Sequence, residues 1–322
     1  MTTTSLATTN TTSLAVLAPT AERAREYANA RRSTRTRDTY SAAWVAFVAW
    51  CETHGAAYLP ASPSAVALYL TSRAEAGRTV STIAVDLAAI VEAHRSAGHP
   101  SPREAREVRA VWEGIRRTHG LAPQRRVAPA VTSDVRAMLE ALPASLVGVR
   151  DRALLALGFS GAFRRSELVA LDVRHFAFSA EGLVVVVARS KVDQEGRGAS
   201  VAIPFGENPS TCAARLVRAW LDASAISDGA AFRGVSRHGK LGERLDGRDV
   251  ARIVKRSAVL AGLDARNYSG HSLRAGLATS AARAGRDDRA IMRQGRWSSR
   301  AMVDRYVREA DLFRDNAAAG LL

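Results

Sequence analysis

Residues 161–171 read GAFRRSELVAL and residues 270–276 read GHSLRAG. In the first stretch Arg164 and Arg165 open a turn of helix, and Glu167 follows three places after Arg164, a spacing that makes the two neighbours on a helix surface. Taken alone, such a pair reads as a solvated surface ion pair. In the second stretch His271 and Arg274 are also three apart, at the start of a helix, so they project from one face. A histidine titrating near neutrality beside an anion-holding arginine suits acid-base and electrostatic work. Taken alone, it is equally a helix-capping surface pair. Two further segments carry similar residue types. Arg189-Ser190-Lys191 ends an apolar run and enters the turn VDQEGRG, where a lysine is ordinarily a solubilising charge. The segment 294–306, QGRWSSRAMVDRY, holds Trp297 and, nine residues on, Tyr306. Tyr306 lies between Arg305 and Val307-Arg308, among positive charges that favour a phenolate, although by itself it is an ordinary amphipathic-helix tyrosine. Together the four segments supply what attack on a phosphodiester needs.

Composition agrees. The chain has 322 residues, 47% of them hydrophobic, enough for a sizeable core and nearer two domains than one, which excludes disorder as a whole-chain description. Its formal charge of +15 points to a polyanionic partner. Of 46 basic residues only Lys191, Lys240 and Lys255 are lysines. Arginine's planar fork suits phosphate, although an Ala- and Arg-rich chain also follows from the coding composition of a genome. Cys51 and Cys212 are far apart, with no CxxC or Cys/His cluster, so neither a disulfide framework nor a zinc module is indicated and a reducing, cytosolic setting is expected. No apolar run approaches the roughly 20 residues of a membrane span. The Thr/Ser-rich residues 1–20 lack the basic start of a secretory signal and read as a disordered tail, with an organellar transit peptide left open by their shortage of acids.

Helical punctuation organises residues 21–120. Tyr40, Trp44, Phe47, Val48 and Cys51 recur on one helical face ending near Gly55. A second helix is expected over 64–76. A third is expected from a cap at Ser81, with Leu87, Ile90, Val91 and His94 inward, and a fourth opens at Ser101-Pro102 with the face Val108, Val111, Trp112 and Ile115. The stretch 121–132 has two prolines, two arginines and no stripe, and reads as an extended linker. Beyond it, helices are expected over 133–142 and 149–159, and a small antiparallel sheet over 173–178, 183–189 and 199–204. Further helices are expected near 211–223, 247–261, 272–284, 287–294 and 299–307. The expected fold is mainly α with a small antiparallel β-sheet, in an amino-terminal helical domain (21–120) and a second domain (133–307). A tail, 308–322, follows.

The ordered set Arg164, Glu167, Lys191, His271-x-x-Arg274, Trp297 and Tyr306 resembles that of the tyrosine recombinase family, the phage integrase and Cre-like enzymes. The resemblance runs from about Ser33 to Tyr306, and the Tyr40, Trp44, Phe47, Trp50 pattern resembles the family's core-binding domain. Two departures stand out. The first box reads GAFRRSEL where GLRISEL is more usual, with Arg164 keeping the spacing to Glu167, and GRW stands where LGH is common.

The resemblance implies a core-binding, DNA-clamping domain at 21–120 and a tyrosine recombinase catalytic domain at 133–307. It implies that Tyr306 attacks the scissile phosphate to give a 3′-phosphotyrosyl link, that Arg164 and Arg274 clamp the phosphate, and that Lys191 protonates the leaving oxygen. His271 would then assist as acid or base, Trp297 would hydrogen-bond and pack, and Glu167 would orient its neighbours. No metal or cofactor is called for. The implied partners are double-stranded DNA with a specific target site, three further copies in a homo-tetramer on two DNA sites, and accessory DNA-bending proteins in some systems. The 308–322 tail would dock on a neighbouring protomer. Arg248, Arg252, Lys255 and Arg256 are DNA-contact candidates. A cytoplasmic, nucleoid-associated setting in a bacterium, phage or mobile element is expected. Two other readings are type IB topoisomerase-like relaxation and a catalytically idle DNA-binding protein.

Overall fold

The computed structural model describes residues 33–120, 127–188 and 198–311, with Pro19, Thr20, Glu22, Arg23 and Tyr27 ahead of them, and side chains through Val307. Lys191, residues 1–18, 121–126 and the side chains of the 308–322 tail lie outside the described residues. The chain divides into two compact units, Met1–Gln124 and Arg125–Leu322.

Among the described residues 33–120 of the first unit there are four α-helices: α1 (Thr34–Thr53), α2 (Pro63–Glu75), α3 (Val80–Ser96) and α4 (Arg106–His119). Hydroxyl caps begin the first three, since Ser33, Ser62 and Thr79 each accept from the backbone N–H three residues on. The third cap is therefore Thr79, not Ser81, and the helix starts two residues earlier than the sequence suggests. The fourth helix also differs from expectation. Pro102–Glu104 forms a separate 3₁₀ turn, and the extended Ala105 breaks it from α4. Phe47, Tyr69, Leu70, Ile83, Leu87 and Ile90 fill the centre, with Phe47 and Tyr69 edge to face at 5.0 Å. His94 is buried among them because both ring nitrogens are used: Nε2 accepts from the Ala61 N–H at 2.9 Å, and Nδ1 bonds the Ile90 carbonyl at 2.8 Å.

The second unit begins earlier than the predicted boundary. Within the stretch expected to be linker, the Ala128 N–H donates to Asn267 O at 2.7 Å, the Ala130 N–H donates to Ser272 O at 2.9 Å, and Ala130 is fully buried. That approach needs Gly276, where a Cβ would lie 1.8 Å from the Ala130 carbonyl oxygen. Then follow α5 (Thr132–Ala141), α6 (Leu146–Ser160) and the short α7 (Arg165–Ala170). A three-stranded antiparallel sheet, β1 (Phe176–Phe178), β2 (Gly182–Val187) and β3 (Ala199–Pro204), is ordered β1-β2-β3, with Val185 paired to Phe176 and to Val201. Residues 173–175, expected to be strand, form a 3₁₀ turn instead. The helix α8 (Ala213–Ser224) packs against α6, and its Trp220 is fully buried, donating Nε1–H to Ala231 O at 2.8 Å.

A second, two-stranded sheet, β4 (Arg233–Val235) with β5 (Leu241–Arg244), was not legible in the sequence. It is short and polar, and Arg244 uses its guanidinium to bond the carbonyls of Val169 and Leu171 and the Asp172 carboxylate, fastening the end of α7. The remaining helices are α9 (Gly247–Leu260), α10 (Ser272–Arg283), α11 (Asp288–Gly295) and α12 (Ala301–Asp311). The alanines Ala275, Ala278 and Ala282 of α10 form a separate small cluster with Ala162, Ile291, Trp297, Val303 and Tyr306. Small side chains on α10 let α12 come close, which delivers Tyr306 to the helix that carries Arg274.

Candidate active site

The turn 161–164, the start of α10, the end of α11 and the middle of α12 meet at one place. Ala162 is fully buried with φ 46°, a left-handed conformation costly for any residue but glycine. Its carbonyl points at two guanidiniums: Arg274 Nη1 donates to it, and Arg296 Nη2 does so at 3.4 Å.

Arg164 caps α7. Its backbone N–H donates to Glu167 Oε2 at 2.9 Å and its Nη1 to Glu167 Oε1 at 2.6 Å. The Glu167 side chain is 1% exposed, so the surface reading of this pair is wrong; the pair is built into the unit. Burial alone would push the Glu167 carboxyl up, but the charge of Arg296 and the bonds from Arg164 outweigh it and hold the pKa below the ordinary value. The neighbouring Arg165 packs against Gly270 and donates to Gly247 O at 3.4 Å. Arg164 is thus the arginine joined to Glu167.

Arg274 is 1% exposed and lies 4.2 Å over the Trp297 ring. Burial, then the proximity of Arg164, pushes its pKa down to about 9, which still leaves it a cation at neutral pH. Its Nη2 is buried with no hydrogen-bond partner among the described residues. A buried, unpaired guanidinium nitrogen is costly, and an anion is the natural partner to satisfy it.

His271 stands just ahead of α10, and its Nε2 is 3.1 Å from the Tyr306 hydroxyl. The packing around its ring, then the charges of Arg274, Arg305 and Arg164, hold its pKa below the ordinary histidine value. A neutral ring can accept the hydroxyl's proton. Arg305 Nη2 donates to the same hydroxyl at 2.8 Å, and Tyr306 itself is 5% exposed. Trp297 is buried beside it, ring centroids 6.1 Å apart, folded back over Gly295 so closely that a Cβ there would meet the indole at 1.8 Å.

Of the residues singled out from sequence, Arg164, Glu167, His271, Arg274, Trp297 and Tyr306 converge here. Arg248, Arg252, Lys255 and Arg256 do not join them; they lie on the exposed side of α9. Arg252 pairs with Asp249 at 3.0 Å, and Arg256 is tied to the fully buried Asp151. Arg256 therefore has a structural partner that the sequence did not reveal. The residue the sequence reading passed over is Arg296, which donates to Glu167 Oε2 at 2.8 Å. Its one signal was a charge directly before the buried Trp297.

Two fixed guanidiniums, one with an open N–H, can hold a phosphate, and a tyrosine hydroxyl shared between a neutral imidazole and a guanidinium can attack it. The fold and site define an enzyme that works on an anionic ester with a tyrosine at hand. Comparison with known proteins carries this further. The sequence pattern of the phage integrase family matches residues 131–312. An integrase/recombinase xerD homolog of Selenomonas ruminantium is 38% identical over 291 residues, covering 89% of this chain and 85% of that protein. The recombinase cre of Escherichia phage P1 is 26% identical over 285 residues, covering 82% and 81%. A solved lambda integrase dimer bound to a COC' core site shares the fold, with a TM-score of 0.58 at 16% identity over 92% of this chain and 77% of that one. The chain belongs to the phage integrase family of tyrosine recombinases, and it is a site-specific recombinase that cuts and rejoins DNA strands.

Proposed function

We propose that Tyr306 is the nucleophile of strand cleavage. Its Oη attacks the scissile phosphorus as His271 takes the phenolic proton. The bond to the 5′-oxygen breaks, that oxygen takes a proton from Lys191, and a 3′-phosphotyrosyl ester remains. A 5′-hydroxyl from another strand reverses the step and expels the tyrosine, so no external energy source is needed. Arg164 and Arg274 hold the non-bridging oxygens, where charge accumulates in the transition state. Trp297 flanks Arg274, and Glu167 orients Arg164 without moving a proton. The chemistry calls for no metal or cofactor.

The observation that carries this reading is the Tyr306 hydroxyl lying 3.1 Å from His271 Nε2 and 2.8 Å from Arg305 Nη2, beside an Arg274 nitrogen without a partner. Exchange between two duplexes requires four active copies, so we assign a tetramer on two target sites, with each of the two units contacting duplex DNA, in the cytoplasm. Among the described residues no helix is long and apolar enough to cross a membrane.

The test is to incubate the protein with sheared DNA of its own source, denature, capture protein-linked fragments and sequence their ends. Adducts at one short repeated site, absent with Tyr306→Phe, are expected. Adducts scattered without sequence preference would support relaxation of DNA instead, and adducts surviving in Tyr306→Phe would remove Tyr306 from its role.

A further inference from the structure

The roles assigned above leave Arg296 unused. It ends α11 with φ 56°, a conformation that penalises every side chain and suits glycine. Its own side chain, 11% exposed, makes four hydrogen bonds inward. Nη1 donates to the carbonyls of Gly161 and Gln294, both at 3.1 Å, and Nη2 donates to Ala162 O at 3.4 Å and Glu167 Oε2 at 2.8 Å. The guanidinium also lies 4.8 Å from the centre of the Phe163 ring.

Two of the groups it grips also hold the other two arginines. Ala162 O also receives Arg274 Nη1, and the second oxygen of Glu167 receives Arg164 Nη1. One planar fork thus spans the turn carbonyls and the carboxylate, and of these the Ala162 carbonyl and the Glu167 carboxylate each hold a neighbouring fork. A lysine ammonium, a single point donor, cannot span them in the same way.

We propose that Arg296 is a positioning residue for strand cleavage: through Glu167 and the carbonyls of Gly161 and Ala162, it fixes the directions in which Arg164 and Arg274 meet the scissile phosphate. The proposal rests on the tyrosine chemistry assigned above.

The site offers a clean perturbation, because Arg296→Gly removes the fork while keeping, and easing, the backbone. The full-length protein is assayed for three quantities on a target duplex: single-turnover rate of covalent adduct formation, dissociation constant for the uncut duplex, and melting temperature. Arg296→Gly should form adduct about 100-fold more slowly, the order of loss expected from misaiming a catalytic group by an ångström. Duplex affinity should stay within about 3-fold, because few phosphate contacts are touched. Since Arg296 acts in part through Glu167, the double variant with Glu167→Gln should lose clearly less than the product of the two single losses.

Should Arg296→Gly fail to fold, Arg296→Lys retains the charge and should cleave about 10-fold more slowly with unchanged affinity. Wild-type rates in either variant, or losses that multiply in the double variant, would overturn the proposal. Should wild type form no adduct, or Tyr306→Phe form it normally, the fault lies with the tyrosine chemistry and not with Arg296.

Discussion

Glu167→Gln removes one oxygen's charge from the middle of three cationic or polar donors. In the wild type the carboxylate accepts from the Arg164 N–H, from Arg164 Nη1 and from Arg296 Nη2, all within 2.9 Å, with 1% of its side chain exposed. Hydrogen bonds to a charged group contribute about 1.5–3 kcal/mol each. The amide oxygen placed at the Oε2 position keeps the two bonds from the Arg164 N–H and Arg296 Nη2 without their charge assistance, while the NH₂ faces Arg164 Nη1, so one bond is lost outright, two are weakened, and two cations are left close together in a desolvated place. The expected cost is about 3–4 kcal/mol, in line with breaking one partner of a buried pair. For a unit of this size that lowers the melting temperature by about 6–16 °C.

The assay is thermal unfolding of the full chain followed at the transition of the carboxy-terminal unit, with Arg252→Gln as a control. The Arg252–Asp249 pair is 74% exposed on the arginine side and should cost under about 1 kcal/mol. Glu167's pKa is depressed in the fold, so its contribution is complete above the unfolded value, near 4.5, and is lost as pH falls through the folded pKa. The gap between wild type and Glu167→Gln should therefore be constant at neutral pH and close in acid. A shift no larger than that of Arg252→Gln, or a gap that persists in acid, would refute the argument that this carboxylate holds the turn.

Other outcomes follow from the same geometry. Because His271 is held below the ordinary pKa of 6.5, it is neutral at pH 7, and adduct formation should fall only as pH drops below that value. The acidic limb should vanish in His271→Gln, measured by single-turnover cleavage over about pH 5–8. Ala162, at φ 46°, should accept glycine within about 1 kcal/mol, the relief of backbone strain offsetting the lost methyl burial. Ala162→Val should lose at least about 2 kcal/mol in thermal unfolding, as β-branching is incompatible with that backbone. On α9, Arg248→Gln should weaken duplex binding for all sequences and reduce the slope of log affinity against log salt by about 1. Arg256→Gln should also lower the melting temperature, because it strips a partner from buried Asp151.

Much of this was legible in the sequence, for identifiable reasons. Helices with a one-sided stripe, such as the one bearing Phe47 and Cys51, declare themselves by periodicity, and the candidate site residues declare themselves by their order along the chain. What stayed hidden was decided by contacts between distant segments. Residues 127–131 look like linker because they have no stripe, yet Gly276 lets their backbone bond to the start of α10. The polar strands β4 and β5 lack alternation. The Arg164–Glu167 spacing is the same on a wet surface as in a buried turn, and only the Arg296 guanidinium and the surrounding burial decide between them. Arg296 itself was obscured by its chemistry: in a chain with 43 arginines, one more before a tryptophan carries little signal.

The packing also accounts for why a site so rich in positive charge can exist before DNA arrives. Arg164, Arg274 and Arg296 share one carboxylate, Glu167, so the buried cluster keeps a net positive charge that no side chain within it cancels. The fold tolerates this through backbone carbonyls at Gly161, Ala162 and Gln294 and through the Trp297 and Phe163 rings, whose electron-rich faces lie 4.2 and 4.8 Å from Arg274 and Arg296. Carbonyl dipoles and ring quadrupoles weaken the repulsion without neutralising it. Had a second carboxylate done that work, the guanidiniums would be satisfied and a phosphate would have to displace it. Partial compensation instead leaves Arg274 Nη2 open, so the site gives up some stability when empty in exchange for an anion position already arranged beside the tyrosine hydroxyl.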